Sequence, residues 1–484
     1  MKVSVENIRF FNKLNKTGDD PMPKGIEALV EKINTQLGGV DEVTDLSKKY
    51  RGVLVVKVVE CIKHPNADKL SLCKIDDGGT DKKVKRDKDG LVQVVCGAPN
   101  VKAGMLAAWI PPGVTVPSTV DKDPFVLEAR ELRGEISNGM LASASELGIS
   151  NDHSGIVELG LDMKAEPGQA FADVYKLNDY IIDIENKMFT HRPDLFGLMG
   201  IARELAGIQG QKFVSPEWYL KPKKIEASSE LALEVDNQIP DLAPRFTAVA
   251  ISDIQIGPSP LWLQINLMRV GIKPINNIVD ITNYLMMVTA QPLHAYDYDK
   301  VKALGGSKLI VRKAKKGEKI KVLGGKEVSL LDSDIVIASP KEAIGIGGVI
   351  GGASTEVDAT TKNIILECAN FNMYSIRRTS MSHGLFTDAS TRFTKGQSPL
   401  QCDGVITKTV DDILRLCGGK VASKLIDKSS LPVSADDRPK LRVSVSGVNN
   451  LLGTRIEDHA MADILRNVEF ELDTNNKELN ITVP

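Results

Sequence analysis

Val53–Ile62 reads V-L-V-V-K-V-V-E-C-I, and its character returns in Leu70–Ile75 (L-S-L-C-K-I), Leu91–Cys96 (L-V-Q-V-V-C) and Met105–Ile110 (M-L-A-A-W-I). Each run is short, apolar and bounded by turn residues, which predicts consecutive antiparallel strands. Strands of this length in this succession are the signature of a small barrel of the OB type, expected over residues 40–151. Upstream, Ile26, Leu29, Val30, Ile33 and Leu37 recur at helical spacing within Lys24–Leu37, and Gly38-Gly39 stop the helix. Downstream, a linker-like stretch to Gly168 leads to a strand over Tyr180–Glu185 and a glycine-terminated helix over Gly197–Gly210. The barrel is therefore read as an insertion in a small N-terminal α+β domain built from residues 1–39 plus 152–200.

The remainder is a large mixed domain, 201–432, with a helix near Leu261–Val270, strands at Leu309–Val311 and Ile335–Ala338, and a helix over Cys402–Cys417. Residues 433–484 have strand, helix and strand character and stop inside an apparent strand, N-I-T-V-P. That last α+β domain reads as cut short. The fold class is α+β and multidomain, which suits 484 residues, since single cores stop growing at about 250 to 300.

A formal charge of -2 and 26% charged residues announce no global nucleic-acid affinity, so any such contact is local. The six cysteines (61, 73, 96, 368, 402, 417) form no C-x-x-C pair, which fits buried thiols in a reducing compartment and speaks against zinc. No signal peptide opens the sequence and the longest apolar run, Ala343–Ala353, is too short to span a bilayer; the expected location is the cytoplasm.

Polar chemistry concentrates between Leu366 and Phe393. Glu367 interrupts the apolar strand I-I-L-E-C-A, where period-two alternation turns its carboxylate to the face opposite Leu366. A carboxylate there needs a partner. Downstream, His383, Thr387 and Asp388 flank Gly384 and Ala389, small residues that let backbone approach a guest. The glycine run Gly345–Gly352 (G-I-G-G-V-I-G-G) fails the dinucleotide spacing and is followed by A-S-T-E rather than a helix, so close backbone packing is expected instead.

H-P-N-A-D-K-L at His64, V-V-C-G-A-P-N-V at Val94 and S-N-G-M-L-A-S at Ser137 resemble, in this order, the tRNA-binding OB module of synthetases and their associated proteins. Together with T-H-R-P-D-L-F-G, T-N-Y, Q-P-L-H-A-Y-D and the Leu366–Phe393 run, they make nearly the whole chain resemble the β subunit of bacterial phenylalanyl-tRNA synthetase. The resemblance implies an aminoacyl-tRNA ligase subunit that pairs with an α subunit in an α2β2 heterotetramer and supports ATP-dependent charging of tRNA(Phe). It also implies hydrolytic editing of mischarged Tyr-tRNA(Phe) in the central domain. The family's subunit continues well past residue 484, and its magnesium ligands lie there; no metal or cofactor is expected in this chain, with ATP and magnesium serving the complete enzyme.

Carried over residue by residue, the resemblance makes Glu367 the carboxylate that reads the tyrosyl hydroxyl. His294 and Asn283 become the residues placing the ester or the attacking water, Thr387 and Ala389 pocket walls, and Gly348 part of the backbone that approaches the ligand. Editing of this kind has a physical rationale: an apolar synthetic pocket rejects a single added hydroxyl weakly, whereas a site that hydrogen-bonds the hydroxyl rejects the analogue lacking it strongly. In the barrel, Lys63, Lys69, Arg130 and Arg133 are the candidate RNA-binding cations, while the charge run Lys82–Lys88 reads first as a solvated loop. Pro65 and Asn66 set the H-P-N-A-D-K-L turn and Asp68 is expected to bond local backbone. Thr394, Ser398 and His191 depart from the family pattern at positions where relatives commonly carry acids or asparagine. Those departures leave a second reading, a non-catalytic tRNA-binding or assembly protein with a degenerate editing domain.

Overall fold

The computed structural model describes residues 1–12, 25–434, 437–475 and 478–484. Lys24, the expected first residue of the N-terminal helix, lies outside them; the helix itself runs Ile26–Gln36.

The N-terminal sheet has the order Lys2–Ser4, Tyr180–Ile184, Val40–Asp45, so the segments on either side of the inserted strands pair directly. Helices Val5–Phe11, Ile26–Gln36 and Leu198–Ile208 bury Ile8, Ile33, Ile201 and Leu205 against it. Val40–Asp45 thus belongs to this sheet, although the sequence assigned residues from 40 onward to the barrel.

All four apolar runs at 53–110 are strands, and they belong to one antiparallel sheet ordered Glu158–Leu159, Leu106–Ile110, Leu54–Lys63, Ser71–Asp76, Val92–Cys96. The stretch before Gly168 is no free linker: Glu158–Leu159 pairs with Leu106–Ala107, and the Val55 and Phe171 amides bond to Gln169 and Val53 carbonyls. S-N-G-M-L-A-S joins the two sides of the sheet. The Asn138 amide and side chain both donate to Gln93 O at 3.0 Å, while Met140–Leu141 pairs with Trp109–Ile110. Gly139 has φ +81°, and a Cβ there would stand 2.2 Å from Ile110 O, so glycine is required.

The central region has three layers. One antiparallel sheet carries Leu293–Asp297, Ile364–Asn370 and Arg245–Ser252 in that order, with Lys420–Val421 and Ile426–Ser429 beyond. On one face Val249, Ile364, Leu366 and Cys368 pack against helices Leu261–Arg269, Asn277–Thr289 and Cys402–Cys417. On the other, Phe246, Ala248, Ile365 and Ala369 meet a second sheet, Glu234–Asn237, Lys308–Lys313, Ile335–Ala338, Ala343–Ile346, Ile350–Gly351. Alternation along Ile364–Asn370 therefore sends Glu367 into the space between the sheets.

The last unit is a sheet ordered Lys440–Ser444, Glu478–Thr482, Glu471–Asn475 with helices Val445–Leu452 and Asp458–Asn467. Glu469 joins it to the N-terminal helix layer, accepting from Arg203 Nε at 3.0 Å and Ser215 Oγ at 2.7 Å. No helix among the described residues is long and apolar enough to cross a membrane.

Candidate functional site

Between the two sheets and the helix layer lies a cavity of about 340 Å³, and Asn283, His294, Gly348, Glu367, Thr387 and Ala389 all line it. Five chain elements spread between residues 283 and 389 thus converge on one space. Strand register does part of this work: His294 lies directly opposite Glu367 on one side, and Ala248, which leaves room, lies opposite on the other. Asn283 arrives from the helix Asn277–Thr289, whose start is capped by Asn276 accepting from the Val279 amide at 3.0 Å.

Glu367 is 6% exposed and forms no ion pair, and no lysine or arginine lines the cavity among the described residues. Burial without a cation pushes its carboxyl up to about 7, opposed only by a hydrogen bond from Tyr296. That phenol donates to Oε2 at 2.5 Å, which leaves Oε1 for a guest. His294 keeps a cavity-facing edge but is enclosed by protein, and burial pulls it down to about 4, so it is neutral at physiological pH. Its ring meets Tyr296 edge-on at 4.4 Å and lies against Gly351, where a Cβ would stand 2.4 Å from His294 Cε1.

Thr387 caps the helix Asp388–Phe393, accepting from the Ser390 amide at 3.0 Å, and donates to Val349 O at 2.7 Å, so its hydroxyl is spent on the wall itself. Gly348 has φ +70°, and a Cβ there would strike Ile376 and Phe371 rather than enter the cavity. The glycine whose bareness admits a site residue is Gly351. Arg392, 3% exposed, holds the Asp388–Phe393 helix to the T-H-R-P-D-L-F-G turn, donating to Phe196 O at 3.0 Å and Asp388 Oδ1 at 3.0 Å.

Some sequence-selected residues serve other ends. His383 lies away from the cavity with Asp334, Nε2 to Oδ2 2.7 Å, and Gly384 is the left-handed cap of its helix. Asp68 is exposed and bonds no backbone among the described residues; the H-P-N-A-D-K-L turn is held instead by His64 Nε2 to Leu132 O at 3.0 Å and Asn66 Nδ2 to Arg133 O at 3.0 Å. Lys63, Lys69, Arg130 and Arg133 are exposed, and the Asn66–Arg133 contact brings the Lys69 turn beside the Arg130–Ser137 hairpin. Within Lys82–Lys88, Arg86 is committed to buried Asp77 by two bonds of 2.6 and 2.9 Å. Thr394 bonds Thr391 O and Ser398 caps a short helical turn, so neither departure leaves a broken contact. Tyr296 was missed because an aromatic in a strand reads as core.

Comparison with known proteins agrees with this anatomy. Residues 53–170 match the family described as "Putative tRNA binding domain" and residues 242–418 match the B3/4 domain, which contains every cavity residue named above. The phenylalanine–tRNA ligase β subunit of Syntrophus aciditrophicus is 35% identical over 435 residues, 90% of this chain and 51% of that protein. That of Desulfotalea psychrophila is 36% identical over 456 residues, 93% and 52% of the two chains. A crystal structure of an N-terminal fragment of the phenylalanyl-tRNA synthetase β subunit from Pyrococcus horikoshii covers 67% of this chain and 84% of that one at 14% identity. Its TM-score is 0.30, too loose to bear on the fold. Its sequence relatives make the chain a homologue of the phenylalanine–tRNA ligase β subunits over nine tenths of its length, and it spans about half the length of the curated members it matches.

Proposed function

We propose that the cavity is an editing site that hydrolyses the ester of tyrosine mischarged onto tRNA(Phe), within a ligase whose charging reaction also needs an α subunit. The observation that carries this reading is Glu367: a buried acid with no cation, beside a cavity, with one oxygen unclaimed. A tyrosyl phenol entering the cavity donates to Oε1. Phenylalanine offers nothing there and leaves a desolvated oxygen unpaired, a penalty of about 1–3 kcal/mol and more for a charged group. Neutral His294 accepts a proton from water as it attacks the ester carbonyl, and the Asn283 amide holds the carbonyl or the water. Tyrosine leaves as the free acid and the tRNA ribose regains its hydroxyl. An activated ester needs positioning more than a strong base.

The barrel, of OB type in this reading, supplies the RNA contact through Lys63, Lys69, Arg130 and Arg133. Residues 1–39 with 152–200, 40–151, 201–432 and 433–484 are the proposed domains, with the first boundary of the barrel moved to about 53 by the strand pairing. The α2β2 assembly, ATP and magnesium belong to the complete cytoplasmic enzyme, and no described residue is assigned to hold nucleotide or metal. The reaction is tested with Tyr-tRNA(Phe) and the purified chain, alone and with an α subunit. Tyrosine release that His294→Ala or Glu367→Ala abolishes supports the site; a wild-type rate equal to spontaneous hydrolysis in both settings leaves a non-catalytic tRNA-binding protein.

A further inference from the structure

Tyr296 puts a phenol of the protein's own on the acid that would read a substrate phenol. It lies on the strand Leu293–Asp297, two residues from His294, and is 2% exposed in the core between the sheets. Its hydroxyl makes one hydrogen bond, to Glu367 Oε2 at 2.5 Å, in the range of charge-assisted O–H···O contacts. The geometry is diagonal across the strand pair, since Tyr296 stands opposite Ile365 and His294 opposite Glu367. The carboxylate is held at one oxygen and cannot swing without breaking that bond.

Resting on the editing reading above, we propose that Tyr296 is the positioning residue for discrimination: by pinning Oε2 it aims Oε1 at the cavity and keeps the acid an acceptor near neutral pH. A carboxylate accepts from several donors at once, so a resident and a visiting phenol can share it, one on each oxygen. The groups facing Glu367 leave Tyr296 without a rival in this role. His294 is neutral and has no hydrogen bond to the acid; Asp388 on the helix wall and Glu356 at the rim are acids that would only repel its charge; Ala248 and the glycine hairpin carry nothing that titrates. The same bond opposes the burial that lifts Glu367.

The test measures binding of L-tyrosine and L-phenylalanine to the full chain by calorimetry from pH 5.5 to 9. The wild type prefers tyrosine with a midpoint near 7, the preference growing as the acid ionises. In Tyr296→Phe the midpoint rises by about one pH unit and the preference at pH 7.5 falls about fivefold, as expected for loss of one charge-assisted bond, while phenylalanine affinity holds. Tyrosine preference unchanged or enhanced, with the midpoint unmoved, overturns the proposal and makes Tyr296 a competitor for the site. A wild type that prefers neither amino acid at any pH removes the tyrosine reading instead. The Tyr296 claim is then decided by carboxyl ¹³C titration of the glutamate-labelled chain, blanked with Glu367→Gln: an upward move in Tyr296→Phe upholds the pinning, and none overturns it. Should that variant fail to fold, 3-fluorotyrosine in place of the eight tyrosines gives the complementary arm. A stronger donor lowers the Glu367 midpoint, and a midpoint that stays put overturns the claim.

Discussion

Glu367 and His294 face each other across one strand pair and titrate in opposite senses. Glu367 has its folded pKa lifted from 4.5 to about 7, so the stability it contributes is complete below about 4.5 and is lost as pH rises through 7. His294 is lowered from 6.5 to about 4; its contribution is complete above 6.5 and is lost as pH falls through 4. The Glu367 shift corresponds to about 3 kcal/mol. Glu367→Gln therefore gains up to that amount on the wild type between pH 4.5 and 8, read from paired urea unfolding curves. A difference that stays flat with pH contradicts the burial argument. What the sequence offered at this scale was Glu367 itself, an acid interrupting an otherwise apolar run. Tyr296 gave no such signal, because only the folded register shows that its hydroxyl reaches an acid rather than solvent.

Among the elements, the strands between residues 53 and 110 were legible because β-branched runs between turn residues leave few alternatives. The helix Asn277–Thr289, which carries Asn283, was not. N-I-V-D-I-T-N-Y-L-M-M-V-T buries Ile278, Ile281, Leu285, Met286, Met287 and Val288 against several neighbours, so no polar face marks a helical period. Its one usable sign was Asn276 ahead of the run, a cap after a proline. The H-P-N-A-D-K-L signature likewise turned out to tie one turn to a hairpin through His64 and Asn66, work that spacing alone does not reveal. The glycine run was read correctly as close packing, and its member against the candidate site residue His294 is Gly351 on the edge strand Ile350–Gly351. A methyl group there meets the end of the His294 ring at 2.4 Å and the tip of Leu323 at 3.2 Å, both side chains, so these give way while the strand stays. Gly351→Ala is expected to cut tyrosine release at least tenfold and to change stability by less than about 1 kcal/mol. Equal losses in a Gly347→Ala control, whose Cβ meets Ile335 at 2.8 Å instead, would show that the hairpin rather than His294 is at stake.

At the scale of the molecule, a net charge of -2 means that RNA affinity, in the proposed reading, rests locally on the exposed cations Lys63, Lys69, Arg130 and Arg133. Binding of tRNA(Phe) is expected to weaken linearly in log K against log salt, and each of Lys63→Ala, Lys69→Ala, Arg130→Ala and Arg133→Ala to reduce that slope by about one. Filter binding over a salt series measures it. Unchanged slopes in all four would move the RNA contact off the barrel. The order of the modules was readable from motifs, but their seams were not. Val40–Asp45 sits in the N-terminal sheet and Glu158–Leu159 pairs with Leu106–Ala107 in the next sheet, because sheet pairing joins segments that composition separates. Glu367 nonetheless remains the point on which the proposed function turns. A crystal structure of the chain with tyrosine bound tests it most directly. The phenol oxygen is expected within about 2.5–3.0 Å of Glu367 Oε1 with Tyr296 still on Oε2; tyrosine bound elsewhere, or seated in the cavity with its hydroxyl turned away from that oxygen, would contradict the account.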